Sequence, residues 1–403
     1  MLHETALVAT VAGGLGLAFV FGMLAVRFKL PAIVGYLLAG VALSPFTPGF
    51  VADTGLAAQL AEIGIILLMF GVGLHFSIQD LLAVRRIAVP GAIVQIVAAT
   101  ALGALVSHFW GWSWSTGIVF GLSLSVASTV VLLRALESRG TLASEDGRIA
   151  VGWLVVEDLI TVLALVMLPA LAGLGASEAA GASTGSVLST LAWTVAKLVA
   201  FVALMLVVGA RAIPWLLHRV AKTGSRELFT LAVLAVALGI AVGAAALFGV
   251  SVALGAFFAG IVVGESKYSQ EAATHALPLQ DAFAVLFFVS VGMLFDPRVL
   301  IRQPVQLLLT ILIILVGKSA AAYVIVRVFR YPRATALHIA GSLAQIGEFS
   351  FILVALGFSL GLVPREAESL VVAGALLSIT VNPFVLRGVD RLLRLPAVAA
   401  KAA

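Results

Sequence analysis

Glu157 and Asp158 stand side by side in Ile149 to Leu171, IAVGWLVVEDLITVLALVMLPAL, a stretch that is otherwise apolar from end to end. At about 1.5 Å per residue such a stretch spans a hydrocarbon core of about 30 Å, which puts both carboxylates inside the membrane. A central acid there costs about 2.5 to 3.5 kcal/mol on insertion scales and normally faces a wet cavity or a partner charge. Two in succession suit a site that holds a proton or a bare monovalent cation. Asp158 is the first candidate, because one carboxylate cannot favour both occupants at once and that competition is sufficient for exchange. Glu157 points about 100° away around the helix, so the two side chains need not share an ion.

Three other polar groups lie in apolar surroundings. Lys318, in GKSAA, needs a partner at that depth, and a Glu157–Lys318 ion pair beside the cation site is expected; it either responds to the occupancy of Asp158 or only holds two bundles together. Ser123, Ser125, Ser128 and Thr129 follow one another in LSLSVASTVVLL, and Gly341, Ser342, Gln345, Gly347 and Glu348 interrupt a second apolar stretch. Each of these reads as a broken helix, since Gly and hydroxyls at membrane depth let unwound backbone face a cavity. Thr129, Ser128 and Ser125 offer hydroxyls and freed carbonyls. Glu348, beside Gln345, either ligates the ion or neutralises a converging positive helix end, and the second reading is preferred because a third free carboxylate would overload a monovalent site.

The elements that position these residues are membrane spans. The chain has 403 residues, 62% hydrophobic and 11% charged, with a mean hydropathy of +1.19. That composition excludes an ordinary soluble domain and predicts an all-α polytopic membrane protein with about thirteen transmembrane helices. They are expected near 5–26, 31–44, 56–75, 87–107, 116–134, 149–171, 187–210, 228–247, 250–264, 279–295, 304–326, 334–357 and 368–386. The first is read as a retained span, not a cleaved signal. The Gly, Ala and Ser run from Gly173 to Gly185 is expected to be a loop and a hinge.

The net charge of +5 and the pI near 9.8 have a topological origin. The gaps SPFTPGFVADTG, HFWGWSWS and LGASEAAGASTGS contain no Lys or Arg, while most of the 24 basic residues fall in the alternate gaps and the tail. The positive-inside rule then puts the N-terminus outside and the C-terminus in the cytoplasm, with 395–403 as a short cytoplasmic tail. Nucleic acid is not an expected partner. There is no Cys, the six His show no metal-ligand spacing, and neither GxSG nor HExxH occurs, so an intramembrane enzyme is not expected. No TVGYG-like filter argues for a channel.

An ungapped shift of 220 residues superposes Gly121 on Gly341, Leu133 on Leu353, Ala135 on Ala355, Leu136 on Leu356 and Leu142 on Leu362. The two broken stretches then coincide, seven spans apart and so opposite in membrane orientation. The expected organisation is one transmembrane domain over 1–394, with inverted repeats near 1–171 and 228–386 and a linking span at 187–210.

The stretches VVEDLITVLALVMLP, LSLSVASTVVLL, LAQIGEFSFIL, LPLQDAFAVLFFVSVGMLFDP and GKSAA, in that company, resemble the membrane domain of the monovalent cation:proton antiporter family that includes Kef-type potassium efflux, YbaL-like and NapA-like exchangers. The resemblance covers nearly the whole chain. It implies a core bundle with two crossed broken helices, a dimerisation bundle, a homodimer in the cell (inner) membrane, and Asp158 as the carrier of proton and cation. It also implies K+ or Na+ and H+ as cargo, with no cofactor, and elevator-like movement of the core. In such families an Asp-Asp pair tends towards electrogenic exchange, Asn-Asp towards electroneutral, and Kef proteins carry Gln-Asp. Glu157-Asp158 departs from all three. Kef-type relatives also append a cytoplasmic nucleotide-binding regulatory domain, which these residues do not include.

Overall fold

The computed structural model describes residues 6–47, 53–75, 78–142, 144–179 and 184–394, and the regular structure among them is helical throughout. In chain order the helices are α1 (Ala6–Arg27), α2 (Ala32–Ala42), α3 (Thr54–His75), α4 (Ile78–Phe109), α5 (Trp114–Ser125), α6 (Thr129–Ser138), α7 (Glu145–Ala179), α8 (Thr184–Leu204), α9 (Ala210–Ala221), α10 (Arg226–Phe248), α11 (Val252–Gly264), α12 (Ser269–Met293), α13 (Val299–Arg302), α14 (Pro304–Leu312), α15 (Lys318–Val328), α16 (Arg333–Ser342), α17 (Glu348–Ser359) and α18 (Arg365–Arg394). Single π-helical turns, Met205–Gly209 and Ile313–Gly317, join α8 to α9 and α14 to α15. Hydroxyls start several of these helices. Ser113, Ser225 and Ser251 each accept from the backbone N–H three residues on, which satisfies one of the donors a helix leaves open at its start.

Among the described residues nine segments are long and apolar enough to cross a membrane, and Ala32–Ala42, Val252–Gly264 and Glu348–Ser359 are shorter apolar helices. The protein is a multi-pass, all-α membrane protein. The stretches expected at 116–134 and 334–357 are each two helices, α5 with α6 and α16 with α17, parted at 126–128 and 343–347. One expectation fails. The run from Gly173 to Gly185 is helical through Ala179 and again from Thr184, with 180–183 outside the described residues. Its many Ala residues outweigh a penalty of about 1 kcal/mol for each isolated Gly. The tail 395–403 also lies outside the described residues.

The chain forms two compact units, and neither is a sequence half: one comprises Met1–Leu24, Gly35–Ser77 and Val162–Phe295, the other Ala25–Val34, Ile78–Thr161 and Asp296–Ala403. In the first, small residues let helices approach closely. A Cβ on Gly40 would overlap the Val289 carbonyl, and one on Gly292 the Leu37 carbonyl, so α2 and α12 touch backbone to backbone. Ser44 Oγ donates to Met293 O at 2.9 Å and ties the end of α2 to the end of α12. Lys197, unexplained by the sequence, has its ammonium 5.8 Å from the centre of the Trp193 ring.

The second unit packs α4, α6, the first half of α7, α15 and α16 around a core in which Trp153 is fully buried among Ile87, Ala92, Leu132, Ile339 and Leu343. There α4 and α5 close on each other at Gly103 and Gly121, whose added Cβ atoms would run into opposing backbone.

Candidate functional site

The first helix break is a hydroxyl effect. Ser123 Oγ donates back to Val119 O at 2.9 Å and Ser125 Oγ to Leu122 O at 2.7 Å, bonds that loosen the last turn of α5. Val126 is extended, with φ −95° and ψ 126°, and Ser128 then caps α6 by accepting from Val131 N at 3.3 Å. The backbone groups at the break are taken up by side chains from α4, α7 and the second break. Gln95 Nε2 donates to Ser125 O at 3.1 Å, and Gln95 is itself fixed by Trp153 Nε1 at 2.9 Å. Ala127 N donates to Glu157 Oε2 at 2.8 Å. The Gln345 amide grips Ser128 at both backbone groups, accepting from its N–H at 2.8 Å and donating to its carbonyl at 3.2 Å.

The second break is answered in the same way. Asn382 Nδ2 donates to Gly341 O at 2.9 Å at the end of α16, and Ile346 N donates to Ser378 Oγ at 3.4 Å. Lys318 Nζ donates to Gln345 O at 3.0 Å, so a cation meets the carbonyl end of a half-helix. Glu348 opens α17 and accepts from Ser128 Oγ at 3.0 Å. An acid at that position suits the positive end of α17, the preferred of its two expected roles. Gly347 sits between: a Cβ there would overlap Ser128, so the two breaks cross only because this residue has none.

Asp158 is 3% exposed and has Thr129 Oγ1 donating to its Oδ2 at 3.0 Å. Among the described residues its Oδ1 has no hydrogen-bond partner, nor has Glu157 Oε1 or Glu348 Oε1. The carboxylates of Glu348 and Glu157 both lie within Coulombic range of Asp158. Negative charge crowded into a buried space, with one oxygen of each acid open, attracts a small positive ion and excludes an anion.

One expectation needs correction. Glu157 and Lys318 attract one another electrostatically, but they are not among the ion pairs of the described residues. Each is drawn instead to a backbone group that the breaks leave open, Glu157 to an N–H and Lys318 to a carbonyl. Ser125 Oγ donates to Leu122 O within α5 and its carbonyl accepts from Gln95 Nε2, which places this residue in the support of the first break. Three residues not singled out by the sequence reading complete the site: Gln95, Ser378 and Asn382, all essentially inaccessible to solvent. A lone neutral amide in an apolar span was the signal available for the first and the last.

A cavity of about 340 Å³ in the same unit is lined by Ala150, Ile339 and Ser342, by the charged groups Arg139, Glu145 and Asp146, and by His338. His338 Nδ1 and Asp146 Oδ2 are 2.9 Å apart, and Arg139 pairs with Asp390. Ala150 stands seven residues, about two turns, before Glu157 on α7, and Ser342 is the last residue of α16, so the cavity runs along the elements that carry the site.

Residues 15–389 match the family model described as sodium/hydrogen exchanger, transmembrane. The chain is 61% identical over 383 residues to the putative cation/proton antiporter YbaL of Escherichia coli strain K12, across 95% of this chain and 68% of that one. It is 33% identical over 359 residues to K(+) efflux antiporter 4 of Arabidopsis thaliana, across 89% of this chain and 59% of the plant protein. Among solved structures it superposes on the sodium proton antiporter MjNhaP1 from Methanocaldococcus jannaschii at pH 8 with a TM-score of 0.68, 15% identity, and coverage of 98% of this chain and 100% of that one. At that identity the likeness speaks for the fold alone.

Proposed function

The chain belongs to the transmembrane sodium/hydrogen exchanger family, and from that premise we propose that it is a secondary antiporter exchanging K+ or Na+ for protons through Asp158. The observation that carries the reading is the state of that carboxylate. It is buried at the crossing of two broken helices, with one oxygen on Thr129 and the other without a partner among the described residues. A proton or a desolvated alkali cation satisfies that open oxygen, and each displaces the other. Carbonyls at the breaks, by contrast, already accept from Gln95, Gln345, Asn382 and Lys318. The cation's coordination therefore rests on Asp158, Thr129 and whatever water or carboxylate oxygen reaches it.

The similarity to a plant K(+) efflux antiporter favours K+ among the two cations, by what that protein is called, while the name of YbaL says only cation. The distribution of basic residues supports an outside N-terminus and a cytoplasmic C-terminus in the cell membrane, and the family resemblance supports a homodimer with an elevator-like movement of the core. A regulatory domain on the cytoplasmic side belongs to the same reading.

Reconstitution tests it. Proteoliposomes carrying a proton-sensitive dye should show saturable proton flux that requires an opposing K+ or Na+ gradient, with Li+ as a third arm. Flux with an imposed voltage and without it decides the stoichiometry, since one net charge per cycle responds by about 2.3 kcal/mol per 100 mV. Cation conductance without coupled proton movement would indicate a channel and sink the proposal. Flux that requires an organic anion would indicate a symporter and do the same.

A further inference from the structure

A second cavity, of about 390 Å³, lies in the unit that holds the site, lined by Lys29, Leu30, Pro31, Val131, Ala135, Arg139, Asn382, Pro383, Leu386 and Arg387. Three basic side chains face it, from the turn after α1, the end of α6 and the last third of α18, and no Asp or Glu is among its lining residues. Arg139 pairs with Asp390, which leaves that acid as the near counter-charge, and Asp390 Oδ1 also lies 3.8 Å from His338 Nε2. Among the described residues, Lys29 and Arg387 have no acidic partner within ion-pair distance.

Apart from Asn382 the rest of the lining is apolar, and two exposed aromatic residues adjoin lining residues in the chain. Phe28, next to Lys29, is 71% exposed, and Phe384, next to Pro383, is 55% exposed. The Arg387 guanidinium, which lines the cavity, sits 4.3 Å from the centre of the Phe384 ring. Lys29 is turned by a left-handed backbone, φ 61°, unusual for a residue with a side chain. All three basic residues fall in gaps or span ends that the charge distribution assigns to the cytoplasmic side.

We propose that this cavity binds the phosphate headgroup of an anionic phospholipid of the inner leaflet, with Lys29, Arg139 and Arg387 on the phosphate and Phe28 and Phe384 against the acyl chains. A soluble phosphate would use the cations equally well but has no use for exposed aromatic side chains beside them, and basic pockets between spans on the cytoplasmic side have the chemistry lipid headgroups require. The occupied cavity would bear on the transport site through Asn382, which lines it and whose amide closes the end of α16 at Gly341. Binding of lipid does not depend on which ion the protein carries, and its test stands apart from the transport assay.

The test is thermal unfolding and native mass spectrometry of the purified chain in detergent. Additions are phosphatidylglycerol, phosphatidylcholine or inorganic phosphate, with wild type compared to Lys29→Gln/Arg387→Gln. Phosphatidylglycerol should raise Tm in a concentration-dependent way and remain bound in the gas phase, while phosphatidylcholine should not. The double variant should melt like wild type without lipid and bind phosphatidylglycerol about thirtyfold more weakly. Phosphatidylglycerol bound equally by both proteins would overturn the site. A Tm rise with inorganic phosphate equal to that with lipid, and lost in the double variant, would keep the cationic pocket but overturn the lipid as its occupant. A double variant that melts early is replaced by Arg387→Gln alone, for which unchanged lipid binding again overturns the proposal.

Discussion

Ser128 Oγ donates to Glu348 Oε2 at 3.0 Å, and the two residues stand 220 positions apart, the same offset at which the sequence superposes on itself. Each belongs to a helix break, so corresponding points of two similar segments meet face to face. The geometry around them is alike too. Ala127 N reaches a side chain 30 residues on, Glu157, and Ile346 N one 32 residues on, Ser378.

Asp158→Asn keeps the shape and an acceptor for Thr129 Oγ1 but removes the charge. It should insert and melt normally, and its cation-dependent proton flux should fall to that of protein-free liposomes. Coupled flux at the wild-type rate would remove Asp158 from the mechanism.

Glu157→Gln and Glu157→Ala should separate the backbone role of this residue from an ion-pair role. The amide still accepts from Ala127 N, so Gln should change stability by less than about 1 kcal/mol, whereas Ala leaves a buried N–H open at about 1 to 3 kcal/mol. Loss of a direct ion pair with Lys318 would instead make both substitutions costly, by about 3 to 5 kcal/mol. Chemical or thermal unfolding in a fixed detergent measures the difference.

Gln95→Leu should destabilise more than Asn382→Leu. The first orphans two buried groups, Ser125 O and Trp153 Nε1, whereas the second leaves Gly341 O with the longer bond from Ala344 N at 3.4 Å. Equal shifts in Tm would mean that water replaces the amide at one of the breaks.

Gly347→Ala forces a methyl into Ser128 where the backbones cross. It should lower stability by about 1 to 3 kcal/mol and stop transport, although the φ of −143° suits any residue. Gly243→Ala, in α10 with nothing within 4 Å of the added carbon, serves as the control and should match wild type in both assays.

Much of this arrangement could be read before any coordinates. The acidic pair was visible because charge is rare in apolar stretches, and both breaks were visible because hydroxyls and Gly collect there. The partners of the freed backbone were not visible, since N–H and carbonyl groups are common to every residue and leave no letter in the sequence. The sequence therefore suggested pairing Glu157 with Lys318, the two opposite charges in view, while each actually answers a peptide group. Gln95 and Asn382 give little signal, because a single uncharged amide looks unremarkable in a long span. The run after Gly173 reads as a loop by its Gly and Ser, but local Ala content carries the helix on to Ala179.

The Ser378 hydroxyl stands where the other half of the crossing has an acid. Two matching backbones with their acidic pair on one side only form a balance with a single pan. On the proposed function, cargo drawn to the crossing has one seat to compete for, and its twin holds a fixed hydroxyl in the corresponding place. Adding a carboxylate at 378 would give the crossing a second seat, and the number of charges moved in each stroke would become open to change without any alteration of the fold.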